Sequence, residues 1–141
     1  MSPSLLAALL MAAPIQPGLA TAGRPALLRP VVEAAARCSN NPQLVIALTR
    51  FTAPSGGSAN LVVSLRTADG RTRELGQVGI FPQQSFSADL AGARRFGFAV
   101  PKAALGQGAT VMVSIKSDGR ATGAKAVIGE ARISPAPRDR C

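Results

Sequence analysis

Leu44-Val45-Ile46-Ala47-Leu48-Thr49-Arg50-Phe51 is the stretch that decides the fold. Leu44, Ile46 and Leu48 alternate with Val45, Ala47 and Thr49 before Phe51, so one apolar row lies on one face of a strand. The same period of two returns in Leu61, Val63 and Leu65, in Phe96, Phe98 and Val100, and in Val111, Val113 and Ile115. Between these rows, Ala53-Pro54-Ser55-Gly56-Gly57-Ser58 reads as a loop, and Asp69-Gly70 and Asp118-Gly119 read as hairpin turns. Arg71 to Phe81 reads as a longer strand, with Gly76 and Gly79 as bulge or close-approach positions. Pro101 to Leu105 fits one helical turn with Pro at its first position. Ala124 to Ile133 is the last strand, ended by Pro135 and Pro137. The expectation is an all-β fold, a single antiparallel β-sandwich of six to seven strands over residues 43–134.

Ahead of it, Met1 to Ala22 has no charged side chain. Leu5 to Ala13 is an apolar run too short for a bilayer, which needs about 20 residues. Pro14, Pro17 and Gly18 follow, and Ala20-Thr21-Ala22 has the small-x-small form that a signal peptidase reads. Residues 1–22 are therefore expected to be a cleaved secretory signal, and the product periplasmic or secreted. Residues 23–42 read as a linker with a short helix over Val31 to Arg37, and 135–141 as a tail. The residue before Cys38 is Arg37, which argues against a lipid-modified cysteine.

The 141 residues include 16 Lys plus Arg, 7 Asp plus Glu, no His, two Cys, and neither Trp nor Tyr. Without His there is no Ser-His-Asp or Cys-His relay and no imidazole acid–base step. No carboxylates stand at calcium-loop spacing, and Met1, Met11 and Met112 do not cluster. Ser85, Ser87 and Asp89 have Lys102 as their nearest basic neighbour in sequence, a poor basis for a Ser-Lys hydrolase. Ser55 to Ser58 lacks the Lys-Ser/Thr that completes a phosphate cradle. The expectation is a non-enzyme with no catalytic, metal or cofactor residues.

Cys38 and Cys141, as one pair in an oxidising compartment, are expected to form a disulfide that ties the ends of the domain together. The formal net charge of +9 is carried by scattered single residues, apart from the adjacent pair Arg94-Arg95. Arg66, Arg71 and Arg73 flank one hairpin and are expected to share a rim. These five are the candidate anion surface, since guanidinium forks suit carboxylates and phosphates. Nucleic acid is not an expected partner, because the five Phe all read as core residues and no stacking platform remains.

Several segments resemble, in order, the β-sandwich that follows the copper domain in tyrosinases and polyphenol oxidases. They are Asn60 to Leu65, Leu75-Gly76-Gln77-Val78-Gly79-Ile80-Phe81, Phe96 to Leu105, Val111 to Ile115 and Val127 to Ile133. The copper domain and its histidines have no counterpart here. In such enzymes this domain covers the active-site mouth without doing chemistry, so the resemblance implies a shielding or docking role toward a tyrosinase-like copper oxidase. The functional expectation is an exported interaction or accessory module of that kind, with envelope binding to anionic polysaccharide or lipid headgroups through the arginines as the alternative.

Overall fold

The alternating rows of the sequence become the inner faces of two sheets. The computed structural model describes residues 18–106, 108–119 and 122–139. These form β1 (Leu19–Thr21), β2 (Ala26–Leu28), β3 (Val31–Val32), β4 (Gln43–Thr52), β5 (Ala59–Arg66), β6 (Thr72–Gly79), β7 (Phe86–Ser87), β8 (Arg94–Ala99), β9 (Thr110–Ser117) and β10 (Lys125–Ser134). The first sheet runs β1-β10-β4-β7, with β3 also on β10 and β8 also on β4; the second runs β2-β9-β5-β6. Apart from the short parallel pairing of β3 with β10, the ladders are antiparallel. The protein is a β-sandwich, as the periodicity predicts. Six strands have six or more residues, and the other four are short edge pieces.

Leu44, Ile46, Leu48 and Phe51 of β4 face Leu61, Val63 and Leu65 of β5 and Val111 and Val113 of β9 across the core, each at most 1% exposed. Burying each such side chain contributes about 1.5–3 kcal/mol. Gly76 is a close approach, as its place in the sequence suggests. A Cβ there would lie 3.1 Å from the Phe98 ring, which closes one side of the sandwich. The β5–β6 register shifts beside it, between Val63 and Ser64.

The other side is closed by the chain ahead of β4, and here the structure departs from the sequence reading. The expected helix over Val31 to Arg37 is replaced by β3 followed by a 3-10 turn, Ala34–Cys38. Val31 and Val32 are β-branched and follow Pro30, so they add to the edge of β10 instead of starting a helix. The stretch 23–42 thus carries β2 and β3 as well as the turn. Pro101 to Leu105 does contain a single turn, a 3-10 helix over Lys102–Leu105.

Of the expected signal segment, residues 1–17 lie outside the described residues. Its last residues are built into the sheet: Leu19, Ala20 and Thr21 pair with Val127, Ala126 and Lys125, and Ala20 is fully buried. Gly18 accepts a hydrogen bond at its carbonyl from Ile128 N (2.8 Å). A side chain at Gly18 would collide with the Ile128 carbonyl. Among the described residues, no helix is long and apolar enough to cross a membrane.

A chain beginning at Gly23 lacks β1 and leaves Lys125, Ala126 and Val127 without their edge partner. It is expected to unfold several degrees below one beginning at Gly18, as followed by far-ultraviolet circular dichroism.

Candidate functional site

The β5–β6 turn is held by Asp69. Its Oδ1 accepts hydrogen bonds from Thr67 Oγ1 and from the Arg71 backbone N (3.0 Å), while Oδ2 lies 3.6 Å from Arg71 Nε. The Thr67 hydroxyl, followed by the Arg71 amide, holds the Asp69 carboxyl below the usual carboxylate range. Arg71 is therefore partly neutralised. Arg66 and Arg73 are exposed and have no ion-pair partner among the described residues.

They do not share a face. Arg66 pairs with Thr72 and Arg73 with buried Leu65, and cross-strand partners lie on the same side of a sheet. Arg66 therefore projects from the outer face of the second sheet, whereas Arg73 lies on the side turned toward the first, at an open edge. The one-residue offset separates side chains that the sequence expects on a single rim.

Arg94 and Arg95 are likewise separated, because consecutive strand residues point to opposite faces. The Arg94 guanidinium carbon sits 4.0 Å from the centre of the Phe86 ring. Arg95 Nη2 donates to the Leu90 carbonyl (2.8 Å) and fastens the loop ahead of β8. Phe98 of β8 lies over Gly76 of β6, and the two strands run in opposite directions. This sets Arg94 roughly 20 Å from Arg73 at about 3.3 Å per strand residue. The five candidate arginines thus form no single site, and both members of the adjacent pair are engaged within the fold. Substituting Arg94→Met is expected to cost about 0.5–1 kcal/mol in urea unfolding through loss of the ring contact.

A different pair meets at the end of the sandwich that carries the β5–β6 turn. Arg29, just after β2, and Arg37, in the 3-10 turn, line one cleft of about 290 Å³ with Pro30, Val32, Leu105, Gly106, Gly108 and Ala109. Both arginines are exposed and lack ion-pair partners among the described residues. The sequence shows them as single residues in a Pro-punctuated stretch. Their meeting depends on the chain crossing between sheets from β2 to β3, which no local pattern encodes.

Cys38 ends the 3-10 turn, and Cys141 lies outside the described residues. The neighbours of both are held together by buried Ser39. Its hydroxyl donates to Asp139 Oδ2 and accepts from Asn41 N (3.2 Å) and Ala136 N (3.1 Å), while Asn40 N donates to the same carboxyl oxygen (3.0 Å). The Ser39 hydrogen bond is the main reason the Asp139 carboxyl is held below its ordinary value. A carboxyl with a lowered folded-state pKa stabilises the fold fully above its unfolded pKa, about 3.9, and loses that contribution as pH falls through the lower folded value. Asp139→Asn is expected to flatten the fall in melting temperature between about pH 5 and pH 2, as read by circular dichroism.

At the opposite end, Phe81 is 92% exposed, although the sequence reading makes every Phe a core residue. Phe51 is buried, whereas Phe86, Phe96 and Phe98 pack at the core's margin. β6 ends at Gly79, and Ile80 just after it takes the buried position. Gln83 pins this loop by donating to the carbonyls of Ala59 (2.9 Å) and Ile80 (2.7 Å) and accepting from Ala59 N (3.0 Å). Ser85 Oγ accepts from Ala53 N (2.8 Å). The ring is presented on a tethered loop.

Among the described residues, no three His, Cys, Asp or Glu side chains are grouped so as to hold a metal ion. No protein-family model matches the chain, and neither a curated protein nor a solved structure shows significant similarity to it.

Proposed function

We propose that the protein is an exported, non-catalytic β-sandwich that works by contact, holding an anionic envelope polymer through its arginine-bearing end. One observation carries this reading: among the described basic side chains, Arg71 and Arg132 alone have an acidic partner. An uncompensated cationic surface on a chain of net charge +9 attracts polyanions and pays little desolvation to bind them. Arg29 and Arg37 in their shared cleft and Arg66 beside it lie toward the end that carries the β5–β6 turn and supply the contact, with the partly neutralised Arg71 next to them. Arg94 and Arg95 contribute to it only through long-range charge.

Export rests on the apolar run from Leu5 to Ala13. A Cys38–Cys141 disulfide belongs to the same reading. Ser39 and Asp139 are hydrogen-bonded to each other and stand next to these cysteines, or nearly so, in sequence. The hydrogen bond between residues so near the two cysteines in sequence supports this pairing.

A second reading is favoured by Phe81. An exposed aromatic side chain on a pinned loop is the form of a protein-docking anchor. With the tyrosinase-like segment pattern, it makes a copper oxidase or another exported protein the partner.

Salt separates the two readings. Binding to an immobilised acidic polysaccharide is expected to fall at least tenfold between about 0.05 and 0.5 M NaCl. Capture of an oxidase that persists at the higher salt, and is lost in Phe81→Ser, would instead establish the docking reading.

A further inference from the structure

We infer that the cleft between Arg29 and Arg37 is a subsite for one carboxylated sugar unit, a uronate residue within an acidic polysaccharide. The inference rests on the anion-binding reading and narrows it to a site and a ligand class. Two arginines without acidic partners among the described residues line the same concavity. Guanidinium forks bind planar carboxylates through paired hydrogen bonds, with a geometry that ammonium groups cannot supply.

Size and lining select the ligand class. About 290 Å³ is at the small end of ligand pockets, enough for one ring-sized unit and too little for an acyl chain. Val32, Leu105, Pro30 and Ala109 give the cleft apolar walls against which the C–H face of a pyranose can pack. No Phe lines it, so a nucleobase finds no stacking partner.

The cleft also continues into further cationic surface. A Cβ on Gly108 would lie 3.0 Å from the Ala68 side chain, so the cleft rim touches the β5–β6 turn. Arg66 is paired with Thr110, next to the lining residue Ala109. Arg66 and Arg71 thus stand beyond the rim, where neighbouring units of a polymer anchored in the cleft would run. One unit is recognised in the cleft, and the following carboxylates meet the hairpin.

The test is calorimetric titration of the exported full chain, which has no Trp or Tyr to report binding by fluorescence. The probes are trigalacturonate, neutral galactotriose, long polygalacturonate, inorganic phosphate and phosphatidylglycerol vesicles. Trigalacturonate is expected to bind and galactotriose not to. The double variant Arg29→Gln with Arg37→Gln is expected to weaken trigalacturonate binding about tenfold or more. The corresponding double Lys variant, which keeps charge without the fork, should recover only part of the loss. Arg66→Gln with Arg71→Gln should weaken the long polymer more than the trimer. Unchanged melting temperatures separate these losses from misfolding.

Unchanged trigalacturonate binding in the double Gln variant would overturn the cleft while leaving the general reading standing, if the long polymer still binds. Phosphate or vesicles that displace the trimer at equal concentration would overturn the carboxylated-sugar assignment. Failure of every acidic polymer to bind the unaltered protein would remove the general reading, and the cleft with it.

Discussion

The β4–β10 ladder is the constraint on which the rest of the molecule depends. It runs from Gln43↔Ser134 to Thr52↔Lys125, with register shifts on either side of Ile128, and it joins segments far apart in sequence. Its inner row is Leu44, Ile46, Leu48 and Phe51 with Ala126, Ile128, Ala131 and Ile133, all buried. Once those rows turn inward, the second sheet must cover them, and β5 and β9 do so with their own alternating Leu and Val residues. The edges of β10 and β9 then need covering. The segment from Gly18 to Val32 does this by passing from the first sheet to the second and back.

That crossing has a chemical consequence. Returning from β2 to β3 brings Arg29 to the same end of the sandwich as the turn carrying Arg37, and both line one cleft against Leu105 and Ala109. The structural need to close an edge thereby produces a concave, cationic surface. In the strands the same physics works against clustering. Alternation sends Arg94 to Phe86 and Arg95 to the Leu90 carbonyl, and sends Arg66 and Arg73 to opposite sides of one ladder. A strand gives neighbouring residues different surroundings, so adjacency in sequence is a poor guide to a shared site. Loops that meet at one end of a sandwich escape this rule.

Most of the fold was legible because a period of two has a single structural meaning when repeated between turn signals. The strands from β4 to β6 and from β8 to β10, the turn at Asp69-Gly70, the close approach at Gly76 and the turn after Pro101 all follow from local residue types. β1, β2, β3 and β7 were not legible. Each has two or three residues, too few to show a period, and each exists because an edge of a longer strand offers it hydrogen bonds. Ala20-Thr21-Ala22 shows the ambiguity directly. Small residues suit both a peptidase site and a tightly packed edge strand, and in the structure Ala20 is fully buried.

By itself, the sequence determined the sandwich, the position of its long strands, the net positive charge and the absence of histidine chemistry, since each depends on composition or on contacts between near neighbours. The tertiary structure alone decided which cations stand together, that Ser39 and Asp139 tie the segment ahead of β4 to the one after β10, and that Phe81 faces solvent while Ile80 faces the core. Those outcomes depend on where the two sheets bring loops far apart in sequence, and side-chain alternation within a strand carries no record of that.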